Sequence, residues 1–222
     1  MATPSLPLAG TESLPQLTFA VAGASALRYA AAPTVALEIE IESDLAVRSL
    51  ALNAQIRIVP TKRSYDLDDE ERLLELFGTR ERWGDTLRGF LWTNTSLVVP
   101  AFTGRTDVEL PVACTYDLDV AAAKYLRALR DGEVPLELLF SGTVFYLGDG
   151  GLLRTAQIPW ESEAQFRLPV RVWREAMDNH FPNSAWLRLH TEVFDRLVAY
   201  RAGRTLPTWD ATIDDLLDRA EP

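Results

Sequence analysis

Two histidines, His180 and His190, and one cysteine, Cys114, are the whole imidazole and thiol supply of this 222-residue chain. A single thiol excludes an intramolecular disulfide, a thiolate zinc site and a cysteine-held iron–sulfur cluster. Cys114 falls on the inward set of an alternating run, with no basic residue beside it in sequence to lower its pKa. It therefore reads as a buried, inert thiol rather than a nucleophile. His190-x-Glu192 matches the opening of a zinc-deaminase signature, but the Pro-Cys-x-x-Cys that must complete it is missing. His190 reads instead as a residue at the edge of an apolar helix stripe, and His180 as a cap before a helix break.

Other patterns fail on similar grounds. Gly148, Gly150 and Gly151 lack the third glycine of G-x-G-x-x-G, and strand character follows them, so they read as a hairpin turn. The acidic run Asp66, Asp68, Asp69, Glu70, Glu71 has Glu where a calcium loop needs Gly, and Phe77 where it needs its bidentate Glu. That run reads as a solvated helix start. Neither G-x-S-x-G nor S-x-x-K occurs, so the common serine-nucleophile signatures are absent. Carboxylate pairs for glycoside hydrolysis are invisible to sequence, because their spacing exists only in space. No catalytic residue, metal ligand or cofactor site is assigned.

The elements around these residues divide the chain in two. Residues 1–16 are Pro/Ser/Thr-rich and read as a flexible tail without the basic and apolar regions of a signal peptide. Residues 17–168 are mainly strands. In residues 34–42, Val35, Leu37, Ile39 and Ile41 alternate with Glu38, Glu40 and Glu42. In residues 47–59, Leu50, Leu52, Ala54, Ile56 and Ile58 alternate with polar positions, and Ser43-Asp44 between the runs predicts a hairpin with one wet face. Arg48 or Arg57 would sit across from a Glu on that face. Helices are predicted at 68–77, stopped by Gly78, and at 119–130, stopped by Asp131-Gly132. Strands are predicted at 90–99, 108–116, 136–146, 152–158 and 164–168. Pro111 marks the second of these as an edge or a bulge.

Residues 169–222 change to a helical period. Val170, Trp173 and Met177 mark one helix. Ser184 is placed to cap a second over 185–201, and Thr208 to cap a last one carrying Trp209, Ile213, Leu216 and Leu217. The expected fold is α+β: one domain over 17–222, an antiparallel β-sandwich with two inserted helices and a C-terminal helical layer.

Composition narrows the function classes. Asp and Glu number 32 against 22 Lys and Arg, a formal charge of −10, which disfavours nucleic acid and anionic membrane as partners. No apolar run is long enough to span a membrane, and the lone cysteine suits a cytoplasmic protein. Lys62 and Lys124 are the two lysines, an Arg-rich skew that reads as codon usage in a GC-rich genome. Four of the six Trp fall in the last 63 residues. Trp173, Phe181, Trp186, Tyr200 and Trp209 there are candidate contacts for a protein partner, since Trp and Tyr dominate binding surfaces. Gluing helices to the sheet is the structural alternative.

The segments Trp173-Arg174-Glu175-Ala176-Met177-Asp178, Phe181-Pro182-Asn183-Ser184-Ala185-Trp186-Leu187, Tyr200-Arg201-Ala202 and Leu206-Pro207-Thr208-Trp209 carry a resemblance. Through them the chain resembles an uncharacterised family of high-GC Gram-positive bacteria, a domain of unknown function encoded near [NiFe]-hydrogenase genes. That resemblance implies an accessory or maturation role, with a hydrogenase subunit as partner. The order of strands and C-terminal helices is also similar to the tetrameric export chaperone that binds unfolded preproteins, a likeness of architecture that delivers no function. The leading expectation is a non-catalytic binding protein that holds or assembles a protein partner. Two others stand beside it: a small-molecule binder or enzyme with a carboxylate/Arg pocket, and a structural or homo-oligomeric subunit.

Overall fold

The computed structural model describes residues 14–220 except 116, 118, 119, 149, 150, 181, 183, 185 and 186. It separates into two compact units, Met1–Ala185 and Trp186–Pro222.

The first unit is built on one long strand. After β1 (Leu17–Ala26), β2 runs without interruption over Thr34–Ile58. The hairpin expected at Ser43-Asp44 does not form. What the residues there make instead is a bulged bend, with register shifts at Ser43/Val47 on one edge of the strand and Val47/Ser49 on the other. The inward set changes from odd positions (Val35 to Val47) to even ones (Leu50 to Ile58) across that bulge, and every residue of both sets named from alternation is buried. An extra residue in one strand shifts the side-chain phase and sharpens its twist.

Helices α1 (Leu67–Arg72), α2 (Leu74–Phe77) and α3 (Trp83–Thr86) follow. The single helix expected over 68–77 is broken at Leu73, whose fully buried side chain sits in bridge-region backbone at φ −90°, ψ 0°. Asp66 caps α1 by accepting from Asp69 N at 2.7 Å, and Gly78 ends α2 at φ +74°.

Strands β3 (Phe90–Val99) and β4 (Phe102–Ala113) run end to end along one edge of β2. Pro111 is tolerated because β4 pairs on one side only. After α4 (Ala121–Ala128), β5 (Glu133–Leu147) joins the other edge of β2 beyond β1. β6 (Leu153–Gln157) and β7 (Glu163–Pro169) pair in turn with the two halves of β5. All pairings are antiparallel and form one seven-stranded sheet. Gly142 lets β5 pass β2: at φ +138°, a Cβ there would lie 1.9 Å from the Ala51 carbonyl oxygen.

The bend turns this sheet into a sandwich. Phe19 pairs with Ile41 and Phe140 with Ala54, so a straight β2 would separate them by about 40 Å. Their rings stack at 4.5 Å. Likewise, Thr95 Oγ1 on β3 donates to Pro111 O on β4 at 2.8 Å, although the two strands are collinear along β2. The layers β4–β2–β1 and β3–β2–β5 therefore face each other across a core of Leu37, Ile39, Leu52, Ile56 and Phe140. Each fully buried Leu, Ile or Phe contributes about 1.5–3 kcal/mol. The α+β expectation holds. Arg57 does cross to a carboxylate, but its partner is Glu137 on β5 at 3.7 Å; Glu40 takes Arg105 at 2.6 Å instead.

α5 (Val170–Asp178) lies against β1, β2 and β7. In the second unit, α6 (Thr191–Arg204) and α7 (Trp209–Ala220) form a helical hairpin. α6 starts at Thr191, later than the sequence predicts, with His190 rather than Ser184 as the residue before its first turn.

Candidate functional site

The five aromatics singled out in sequence do not form one surface. Trp173 is 6% exposed and belongs to the core of the first unit, so it holds α5 to the fold and presents nothing to a partner. Phe181 and Trp186 lie outside the described residues. Tyr200 lies on α6 and Trp209 opens α7, each with its own partners. The Tyr200 hydroxyl donates to Asp215, and Asp215 also receives Arg219 at 3.1 Å and Arg204 at 3.6 Å. The Arg219 guanidinium, then the Tyr200 hydroxyl, hold the Asp215 carboxyl below its ordinary range. Trp209 packs on Phe194 at 5.5 Å, and Arg201 lies 4.6 Å over its ring while donating to Pro207 O at 2.7 Å. Thr208 caps α7 as expected, accepting from Ala211 N at 3.1 Å.

These contacts close the hairpin but do not bury its apolar side chains. α6 has no buried residue, and in α7 the one buried residue is Thr212. Val193, Phe194, Val198, Ile213, Leu216 and Leu217 are 37–58% exposed, and Leu187 just before α6 is 72% exposed. Sequence periodicity placed Ile213, Leu216 and Leu217 on the last helix; Val193, Phe194 and Val198 are exposed on α6. α7 carries Asp210, Asp214, Asp215 and Asp218 against one cation, Arg219.

The chemistry-bearing residues elsewhere are structural. Cys114 is 7% exposed, and burial pushes its thiol from the ordinary 9.0 up to about 12. His180 ties the end of α5 to the loop before β2, its ring nitrogens 3.2 Å from Ala176 O and 2.8 Å from Ala30 O. His190 is exposed rather than at a core edge. Two features escaped the sequence. Tyr65 donates to Pro60 O at 2.9 Å and meets the Tyr125 hydroxyl at 2.7 Å, so Tyr125 is the donor between them. Burial raises both phenols, Tyr125 to about 12. Beside them Arg63 donates to Asp131 O, Glu133 O and Asp69. Among the described residues, no three His, Cys, Asp or Glu side chains are placed to hold a metal, and no helix is long and apolar enough to cross a membrane.

Residues 14–222 match the model of a family of unknown function, DUF6084. The chain belongs to this family. The comparison with curated proteins found no match to the chain. Solved structures give distant likenesses to the DUF6084 chain. One is the CARDB domain of the PF1109 protein from Pyrococcus furiosus, crystallised with di-metal ions, at 11% identity and TM-score 0.25 over 69% of this chain and 91% of that one. Another is a β-glucosidase from Kluyveromyces marxianus, at 8% identity and TM-score 0.25, of which the match spans 15%. Likenesses at this level carry no argument about the DUF6084 chain.

Proposed function

We propose that this DUF6084 protein is a non-catalytic, cytoplasmic binding protein that holds or assembles a protein partner through the α6–α7 hairpin. The observation that carries the reading is the exposure of six apolar side chains on these two helices: Val193, Phe194, Val198, Ile213, Leu216 and Leu217. Helices of 14 and 12 residues are marginal without tertiary cover, so a face of this kind gains stability when something buries it. Asp210, Asp214 and Asp218 of α7 give that cover a chemistry: an apolar groove bordered by Lys or Arg. The resemblance carried by residues 173–209 makes a [NiFe]-hydrogenase subunit the first such partner to test, in an accessory or maturation role.

The test compares the full-length tagged chain with Val198→Asp/Leu217→Asp, both recovered from the native host. The wild type should co-purify stoichiometrically with a hydrogenase subunit, and re-form the complex when the two purified proteins are mixed. The double variant should lose that partner while its main melting transition stays in place. Equal recovery by the variant overturns the surface, and a different stoichiometric partner overturns the hydrogenase assignment.

A further inference from the structure

The edges of β1, β3, β4 and β7 are guarded. β1 carries a bulge at Val21/Gly23, and β4 carries Pro111 with Arg105, Asp107 and Glu109. β3 has a bulge opposite Ile56/Arg57 and hands its Thr95 hydroxyl to Pro111 O on β4. β7 bears Glu163 and Arg167. Bulges, proline and charges are the ordinary means of keeping an edge from pairing with another chain. β6 stands apart. It pairs with β5 alone, without a bulge or a proline, and the side chains it exposes, Leu153, Thr155 and Gln157, are uncharged.

The register shows which main-chain groups of β6 lie on the open side. Ile158 N donates to Gly142 O and Gly148 N to Leu152 O, and the ladder between these two bonds has no shift. Antiparallel pairs alternate, so Leu152, Arg154, Ala156 and Ile158 turn their N–H and C=O groups to β5. Leu153, Thr155 and Gln157 turn theirs the other way, as donors and acceptors for a further antiparallel strand. Apolar side chains bracket this edge. Leu152 and Leu153 at its start are 66% and 63% exposed, and Trp160 just past its end is 90% exposed. An antiparallel copy of the same strand sets its Trp160 end beside the Leu152–Leu153 end of the first, twice over, so the edge is complementary to itself. We infer that β6 is the contact between two copies of this chain, related by a two-fold axis at Thr155. Thr155 pairs with Thr155 of the second copy, and Leu153 with Gln157 in both directions, each pair exchanging two main-chain hydrogen bonds. The neighbouring registers are worse. An axis at Arg154 sets that cation against itself, and an axis at Ala156 puts Leu153 opposite Pro159, which has no N–H. The contact is isologous, so it uses both edges and closes at a dimer. β6 belongs to the first unit and the proposed partner surface to the second, so either reading can fail without the other.

Size-exclusion chromatography with light scattering on the full-length chain, over a range of concentrations, tests the inference. The wild type should reach twice the chain mass and no more. Thr155→Lys and Thr155→Glu each set a like charge against itself across the axis, and each should weaken association at least about tenfold. Mixing these two variants should restore a dimer, because the charges then oppose each other. In a Cys114→Ala background, Thr155→Cys should form an intermolecular disulfide under mild oxidation, and Ser141→Cys, exposed on β5, should not. A wild type that stays monomeric overturns the inference and leaves the edge to an extended segment of another protein. A dimer indifferent to Thr155→Lys and not linked through Thr155→Cys also overturns it, as does a dimer lost instead in Val198→Asp/Leu217→Asp. Thr155 is exposed, so its variants keep the fold, and an unchanged melting transition checks that they do.

Discussion

Arg63 is the polar side chain on which the loops of the first unit converge. It donates to the carbonyls of Asp131, just before β5, and of Glu133, the first residue of β5, and pairs with Asp69 at 3.2 Å, the two side chains being 11% and 8% exposed. Removing one partner of a buried pair leaves the other charge uncompensated, and Arg72 at 3.9 Å from Asp69 replaces only part of it. Arg63→Ala should therefore cost about 3–5 kcal/mol, read by urea denaturation, and a loss under about 1 kcal/mol would sink this account. A second residue-scale expectation concerns alkaline pH. Burial raises the Cys114 thiol from 9.0 and the Tyr125 phenol from 10.0, each to about 12. The unfolded chain gives up these protons first, so their contribution is complete below about pH 9 and is lost as pH rises through about 12. Stability measured at pH 8, 10 and 11 should fall steadily, and Cys114→Ala/Tyr125→Phe should flatten that slope.

At the scale of elements, β2 does most of the positioning. It pairs with β1, β3, β4 and β5, and its bend brings those partners face to face. Alternation named its inward residues correctly on both sides of Ser43–Val47, yet it did not reveal that one strand carries both sets. A polar Ser-Asp pair between two alternating runs is compatible with a turn or a bulge, and the choice rests on which strands lie alongside. The partners also explain the wet face. Glu38 lies directly opposite Glu109 and Glu40 opposite Asp107, with Arg105 bridging the second pair. Like charges directly opposite each other are unfavourable, so Glu109→Lys should raise stability by about 0.5–1 kcal/mol at low salt, with the gain shrinking as salt is added. A thermal melt showing no gain at low salt would rule that out.

At the scale of the whole molecule, the hydrophobic core draws on residues 17 to 177 and on none of α6 or α7. A chain ending at Ala185 should therefore keep a cooperative melting transition within a few degrees of the full-length protein. It should also lose partner capture, because the proposed contact face lies entirely in the second unit. Loss of cooperative melting in that truncation would mean that the first unit depends on the helices.

Local chemistry was enough to read much of this protein. Side-chain alternation, Gly78, Pro111 and Thr208 determined where elements begin, end or lie at an edge, because those signals act within a few residues of chain. The isolation of Cys114 from basic neighbours marked it as an inert thiol, and its burial agrees. The balance of 32 acids to 22 bases likewise argued against nucleic acid without any structure. What only the tertiary structure decided depends on residues far apart in sequence. Trp173 and Trp209 are the same residue type on similar helical stripes, but one is sealed in the core and the other stays 37% exposed. Lys124 pairs with Glu75 across some fifty residues of chain, and Arg63 meets Asp131 and Glu133 across nearly seventy. Burial and electrostatic pairing are properties of what surrounds a side chain in space, and a linear pattern reports only the neighbours along it.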